Sequence, residues 1–121
     1  MDLKATNREI GVVTIVDISG RIVLGEESAL LRSVVENLVK QGRKQILLNL
    51  ANVNYIDSAG LGSLAAAFTS VKNQGGSLKL LNLTNKVRDL MQITKLYTVF
   101  DIRDDEVAAV NSFHESSAAG V

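Results

Sequence analysis

The chain is expected to fold as a single α/β domain: a mostly parallel sheet of four to five strands, an antiparallel N-terminal strand and about four helices. Three observations carry this expectation. From Val12 onward, short β-branched or leucine-rich runs alternate with segments of helical period. The 121 residues are enough for one core, and no proline, internal repeat or linker-like stretch marks a second domain. Strand–helix units joined by right-handed crossovers then give a largely parallel sheet, whose functional crevice lies beyond the carboxyl ends of the strands.

Taken in order, Leu3 to Arg8 is a weak strand candidate and Glu9-Ile10-Gly11 a turn. Val12 to Ile18 is β-branched almost throughout, as in a strand covered on both faces. Ser19-Gly20 is expected to end it, leaving Arg21 to Gly25 as a loop that is unusually apolar at Ile22, Val23 and Leu24. Glu26 to Gln41 has a helical period, with Leu31, Val34, Val35 and Leu38 on one face. Its acids stand at the start and Lys40 at the end, as the helix dipole favours, and Gly42 follows as a natural C′ residue.

A strand over Gln45 to Leu50 then leads through a loop, Ala51 to Ser58, into a helix running to about Asn73 and stopped by Gly75-Gly76. Ser77 to Leu81 is another short strand. Thr84 or Asn85 caps a third helix with Val87, Leu90 and Met91 inward. Val99 to Ile102 is the last strand, and Asp104 begins a fourth helix carrying Val107 and Val110. The domain is expected to occupy 1–115, with 116–121 a disordered tail.

Composition narrows the function. Thirteen basic and thirteen acidic residues cancel, the basic ones are scattered, and there is no tryptophan. Nucleic acid and membrane surfaces are therefore poor candidate partners. No cysteine and one histidine leave neither thiolate chemistry nor an ordinary transition-metal site, so no metal or cofactor is expected. No run of about eighteen apolar residues could cross a bilayer, and the N-terminus lacks a secretory layout, so a cytoplasmic protein is expected. No large apolar stripe beyond the core demands a dimer, so a monomer is expected.

Catalytic motifs fail on inspection. Ile56-Asp57-Ser58-Ala59-Gly60 has isoleucine where a nucleophile elbow needs its first glycine, and His114 lies far along the chain. Gly20 to Gly25 has the glycine spacing of a P-loop, but Glu26-Glu27 replaces the phosphate-binding lysine and hydroxyl. No catalytic residue is assigned.

Ser58 remains. It stands where a helix begins, beside unpaired backbone N–H groups and the positive end of the dipole, a setting suited to a phosphate. It also reads as an ordinary helix-start serine, with Asp57 as a rival cap. Gly60 and Gly62 weigh against stability as the sole purpose, since each costs up to about 1 kcal/mol relative to alanine within a helix. They serve either close approach by a partner or tight packing against the sheet. Leu61, Leu64 and Phe68 read as core.

Asn49-Leu50 followed by Asp57-Ser58-Ala59-Gly60-Leu61-Gly62 resembles the signature of the bacterial anti-sigma-factor antagonists, which are STAS domains. The likeness extends from the Ser19-Gly20 turn to the helix of Val87 to Met91. It implies a non-catalytic partner switch. The antagonist binds an anti-sigma factor that is itself a serine kinase, freeing a sigma factor; the kinase phosphorylates the motif serine, here Ser58, and a serine phosphatase restores it. The implied partner surface comprises Arg21, Ile22 and Val23 together with Asp57, Ser58, Ala59, Gly60, Leu61, Gly62 and Ser63. One departure stands out: Val23 occupies a place where family members often carry an acid. The apolar Ile22-Val23-Leu24 triplet leaves open a STAS module that does not switch, one that binds a small ligand or lipid or serves as a scaffold for other partners.

Overall fold

A computed structural model describes residues 3–119, with side chains described as far as His114. Its elements are β1 (Lys4–Ile10), β2 (Val13–Ile22), α1 (Glu26–Lys40), β3 (Gln45–Ile56), α2 (Ser58–Asn73), β4 (Ser77–Leu81), α3 (Asn85–Thr94), a 3-10 turn (Leu96–Thr98), β5 (Ile102–Arg103) and α4 (Glu106–Ala119). The five strands lie side by side in chain order. β1 runs antiparallel to β2, and every later pair is parallel. This is the α/β architecture the alternation predicts. Of the expected tail, 116–119 belong to α4, and 120–121 lie outside the described residues.

Parallel strands laid down in chain order with one handedness of crossover put their connecting helices on one face. Leu31, Val35 and Leu38 of α1, Leu64 and Val71 of α2, and Val87 and Met91 of α3 share a core with Val16, Ile46, Leu48, Leu78 and Leu80 of the sheet. α4 follows the last strand and is not a crossover, so it is free to cover the opposite face. There Ala109, Val110 and Phe113 pack on Val13, Ile15, Leu47 and Leu81. Alternate residues of β2 and β3 thus point into two cores, which explains the consecutive apolar residues Ile15-Val16 and Ile46-Leu47-Leu48.

Several boundaries differ from expectation. Val12 lies in the turn after β1, two-thirds exposed, and the strand begins at Val13. Ser19-Gly20 does not end β2, which continues to Ile22, and β3 continues from Leu50 to Ile56. The register explains the oversight. Asp17 pairs with Asn49 but Ser19 with Asn52, and Gly20 pairs with Val53 but Arg21 with Tyr55. β3 therefore carries an extra residue at each of two bulges, which breaks the alternation that marks a strand. Gly20, with φ of 111°, supplies a backbone conformation that side chains resist at the second bulge. The last strand is Ile102–Arg103 instead of Val99–Ile102, because Phe100 turns inward to meet Phe68 edge-on at 5.5 Å between ring centres. Asp105, one residue later than expected, caps α4 by accepting from the Ala108 N–H at 2.9 Å.

Candidate functional site

The bulged extensions of β2 and β3 carry their carboxyl ends out beyond β4, and α2 starts there. Ile22 pairs with Ile56 at the last rung, and the Asp57 N–H donates to the Ile22 carbonyl at 3.3 Å. Asp57 is the N-cap of α2. One carboxylate oxygen accepts from the Gly60 N–H at 2.7 Å, and the other accepts from the Leu24 N–H at 3.0 Å. Those N–H groups hold the carboxyl below the usual carboxylate range, Leu24 contributing most. A single side chain thus caps α2 and anchors the loop that opens α1.

Ser58 is the first residue of α2 and is exposed. Its hydroxyl has no hydrogen-bond partner among the described residues, because the cap role belongs to Asp57. The two glycines divide the readings offered for them. A Cβ on Gly60 would stand 2.1 Å from the Ile22 carbonyl oxygen, so this glycine lets the helix start press against the end of β2. A Cβ on Gly62 would meet nothing within 4 Å. Gly62 instead opens onto a groove of about 450 Å³ between α1 and α2, shared with Leu24, Arg32, Ala59 and Ala66.

The residues expected to meet a partner therefore separate. Arg21, Ser58 and Gly62 are exposed, and Val23, Asp57 and Ala59 are partly so. Ile22 is wholly buried, and Gly60, Leu61 and Ser63 are buried as well. These four lie mostly in the packing under the site, with Leu61 reaching the surface at the cleft beside Ser58 and Ser63 at the groove beside Gly62. The apolar triplet is likewise no continuous patch: Ile22 is core, Val23 is half-buried, and Leu24 stands out at 76% exposure. The carboxylate that faces this loop is Asp57's, through the Leu24 N–H.

On the other side of Ser58 lies a second cleft, of about 620 Å³, between the start of α2 and α3. Tyr55, Ile56 and Leu61 form one wall, with Lys86, Leu90 and Ile93 on the other. Thr84 positions that helix: its hydroxyl donates to the Val53 carbonyl at 3.0 Å and caps α3 at the Val87 N–H. Sequence reasoning missed this wall. Its one visible signal was Ile93, an isoleucine outside the apolar stripe of α3 and 79% exposed.

His114 is exposed on α4, in the layer opposite α2, so the structure does not bring it to Ser58. Among the described residues no cluster of histidines and acids could hold a metal ion, and no helix is long and apolar enough to cross a membrane.

Comparison with known proteins agrees with this geometry. The family described as STAS domain matches residues 4–109. The chain belongs to the STAS domain family. An anti-sigma-B factor antagonist of Bacillus subtilis is 37% identical to this STAS domain over 102 residues, spanning 84% of this chain and 88% of the relative. Among solved structures, an anti-sigma factor antagonist from Mycobacterium paratuberculosis superposes with a TM-score of 0.79 at 18% identity, covering 93% of this chain and 94% of that one. The Bacillus cell fate determinant SpoIIAA in its phosphorylated form superposes with a TM-score of 0.69 at 17% identity, covering 90% and 98%. At these identities the two structures speak for the fold.

Proposed function

We propose that this STAS domain is an anti-sigma-factor antagonist that works by partner switching: it binds an anti-sigma factor of the serine-kinase type, releases a sigma factor, and is turned off by phosphorylation of Ser58. The observation that carries the reading is the exposed, unbonded Ser58 hydroxyl at the start of α2, one helical turn from the open backbone of Gly62. The name of the Bacillus subtilis relative supports the choice of partner.

A phosphoserine adds about −1.5 to −2 charges and three acceptor oxygens. On an exposed side chain these remain in water, and the adjacent helix start favours negative charge, so the fold tolerates the group. A partner lying against Leu24, Ala59 and Gly62 would have to bury that charge beside the Asp57 carboxylate, which is unfavourable without compensating cations. The switch thus acts at the contact and needs no change of fold. A serine phosphatase resets it. Nothing in this cycle asks the domain for chemistry of its own: it is the substrate of the kinase.

The test is calorimetric titration of the partner kinase with three proteins. Wild type and Ser58→Ala should bind alike, and Ser58→Asp at least tenfold more weakly. Incubation with kinase and ATP should add one phosphate, located by mass spectrometry at Ser58. Equal binding by all three proteins, or phosphate found elsewhere, would sink the proposal.

A further inference from the structure

Lys86 faces the cleft that Ser58 lines, from the first turn of α3, and is exposed. Asp89 stands one turn further along the same helix, yet Lys86 forms no ion pair among the described residues. It is also the one cation on the lining of this cleft, whose other charged members are Asp57 and Asp89. The start of α3 is fixed to β3 through Thr84 and the Val53 carbonyl, so the lysine is held on the wall opposite Ser58. An unpaired ammonium on a long flexible stem, across an open cleft from an unbonded hydroxyl, is placed to meet an anion built on that hydroxyl.

We propose that Lys86 is the intramolecular counter-ion of a phosphate on Ser58, so that modification ties the start of α2 to the start of α3 across the cleft. The proposal rests on phosphorylation of Ser58, and it adds a residue that holds the modified state. Ammonium and phosphate oxygens form charge-assisted hydrogen bonds, stronger than neutral ones. The bond would draw the phosphate over Leu61 and away from Gly62, into the cleft between Tyr55 and Ile93. The off state would then be a closed cleft as well as a charged one.

The sign of the observable is fixed by electrostatics. A nearby cation favours the phosphate dianion and lowers its second pKa, ordinarily about 6. Asp57 and Asp89, the other charged groups on the cleft lining, push the other way. These two are common to wild type and a Lys86 variant, so their effects cancel in the comparison. One charge at contact distance in water shifts the value by about three-quarters of a pH unit.

Phosphoserine is inserted at position 58 during translation, which makes the kinase unnecessary, and its phosphorus resonance is followed against pH at low salt. The second pKa should be about three-quarters of a unit higher in Lys86→Gln than in wild type, with Lys86→Arg close to wild type. Lys72→Gln, on the far end of α2, should titrate like wild type. At about 1 M salt the difference should shrink, because screening then acts over roughly 3 Å. Superimposable curves for wild type and Lys86→Gln would overturn the proposal and leave the switch itself standing. A kinase that ignores Ser58 would instead end the switching reading, and this titration would still report on Lys86.

Discussion

The Asp57 carboxylate bridges two backbone N–H groups that lie far apart in sequence, Leu24 at 3.0 Å and Gly60 at 2.7 Å. It therefore couples the shape of the β2–α1 loop to the start of α2, the two segments that flank Ser58. Asp57→Ala should release both. The Leu24 and Gly60 amides should exchange with solvent faster than in wild type, while amides in the middle of β3 keep their protection. Asp57→Asn retains one accepting oxygen and should protect only one of the two. Unchanged exchange at Leu24 in Asp57→Ala would show that the loop is held by other contacts.

Three carboxylates make the fold sensitive to acid in a predictable direction. Asp57 is held low by backbone N–H groups, Asp17 chiefly by Arg8, and Asp101 chiefly by Arg103. Each has a folded-state pKa below its unfolded one. Its contribution is therefore complete above the ordinary carboxylate range, near pH 4, and is lost as pH falls through the depressed value. Arg8 also donates to Glu106 at 2.7 Å, so the Asp17 pair anchors α4 to the sheet. Urea midpoints measured between about pH 7 and pH 2 should fall less steeply for Asp17→Asn than for wild type. Parallel curves would mean that the Arg8–Asp17 pair is fully screened by water.

Lys79 is a lysine in a core position. It is buried beneath α4 and donates to the Ser112 carbonyl at 3.0 Å and hydroxyl at 2.9 Å. It also pairs with Asp101 at 3.3 Å and lies over the Phe113 ring. Without the Lys79 ammonium, Asp101 keeps its pair with Arg103 at 2.7 Å and stays partly exposed, so no charge is left buried and unpaired, whereas a cavity costs stability. Lys79→Met should stay within about 1 kcal/mol of wild type in urea unfolding, and Lys79→Ala should lose about 2 kcal/mol or more. Equal losses in the two variants would assign the role to the charge and not to the stem.

The order of elements was legible because each parallel strand is covered on both faces and each helix on one, so period and composition both speak. The ends of β2 and β3 were not. Ser19, Gly20, Ala51, Asn52 and Asn54 have the composition of loops, and the two bulges erase the alternation that would have contradicted it. The Asp57-Ser58 helix start was legible from capping chemistry. The burial of Ile22 and Leu61 within the same motif was not, since a run of small and apolar residues carries no sign of which side faces the core. Lys86 was invisible for a different reason: a lysine in a first helical turn is ordinarily solvated, and only the packing of α3 beside β3 sets it across from Ser58.

Gly60 and Gly62 separate the structural from the interactive content of the motif. Both weaken a helix by up to about 1 kcal/mol relative to alanine, so propensity alone predicts that either alanine variant stabilises. Geometry predicts opposite signs. At Gly60 the new methyl would stand 2.1 Å from the Ile22 carbonyl oxygen and 2.8 Å from the Ile56 side chain. The carbonyl belongs to the last paired rung of β2 and cannot turn aside, so Gly60→Ala should lose about 1–3 kcal/mol, as overpacked cores do. At Gly62 the methyl meets nothing, so Gly62→Ala should gain up to about 1 kcal/mol in urea unfolding. The same surface is where a partner is expected to lie. Gly62→Trp should therefore leave the unfolding midpoint near that of wild type while weakening partner binding at least tenfold. A Gly62→Trp protein that still bound like wild type would move the docking face away from the α1–α2 groove, even with Ser58 confirmed as the modified residue.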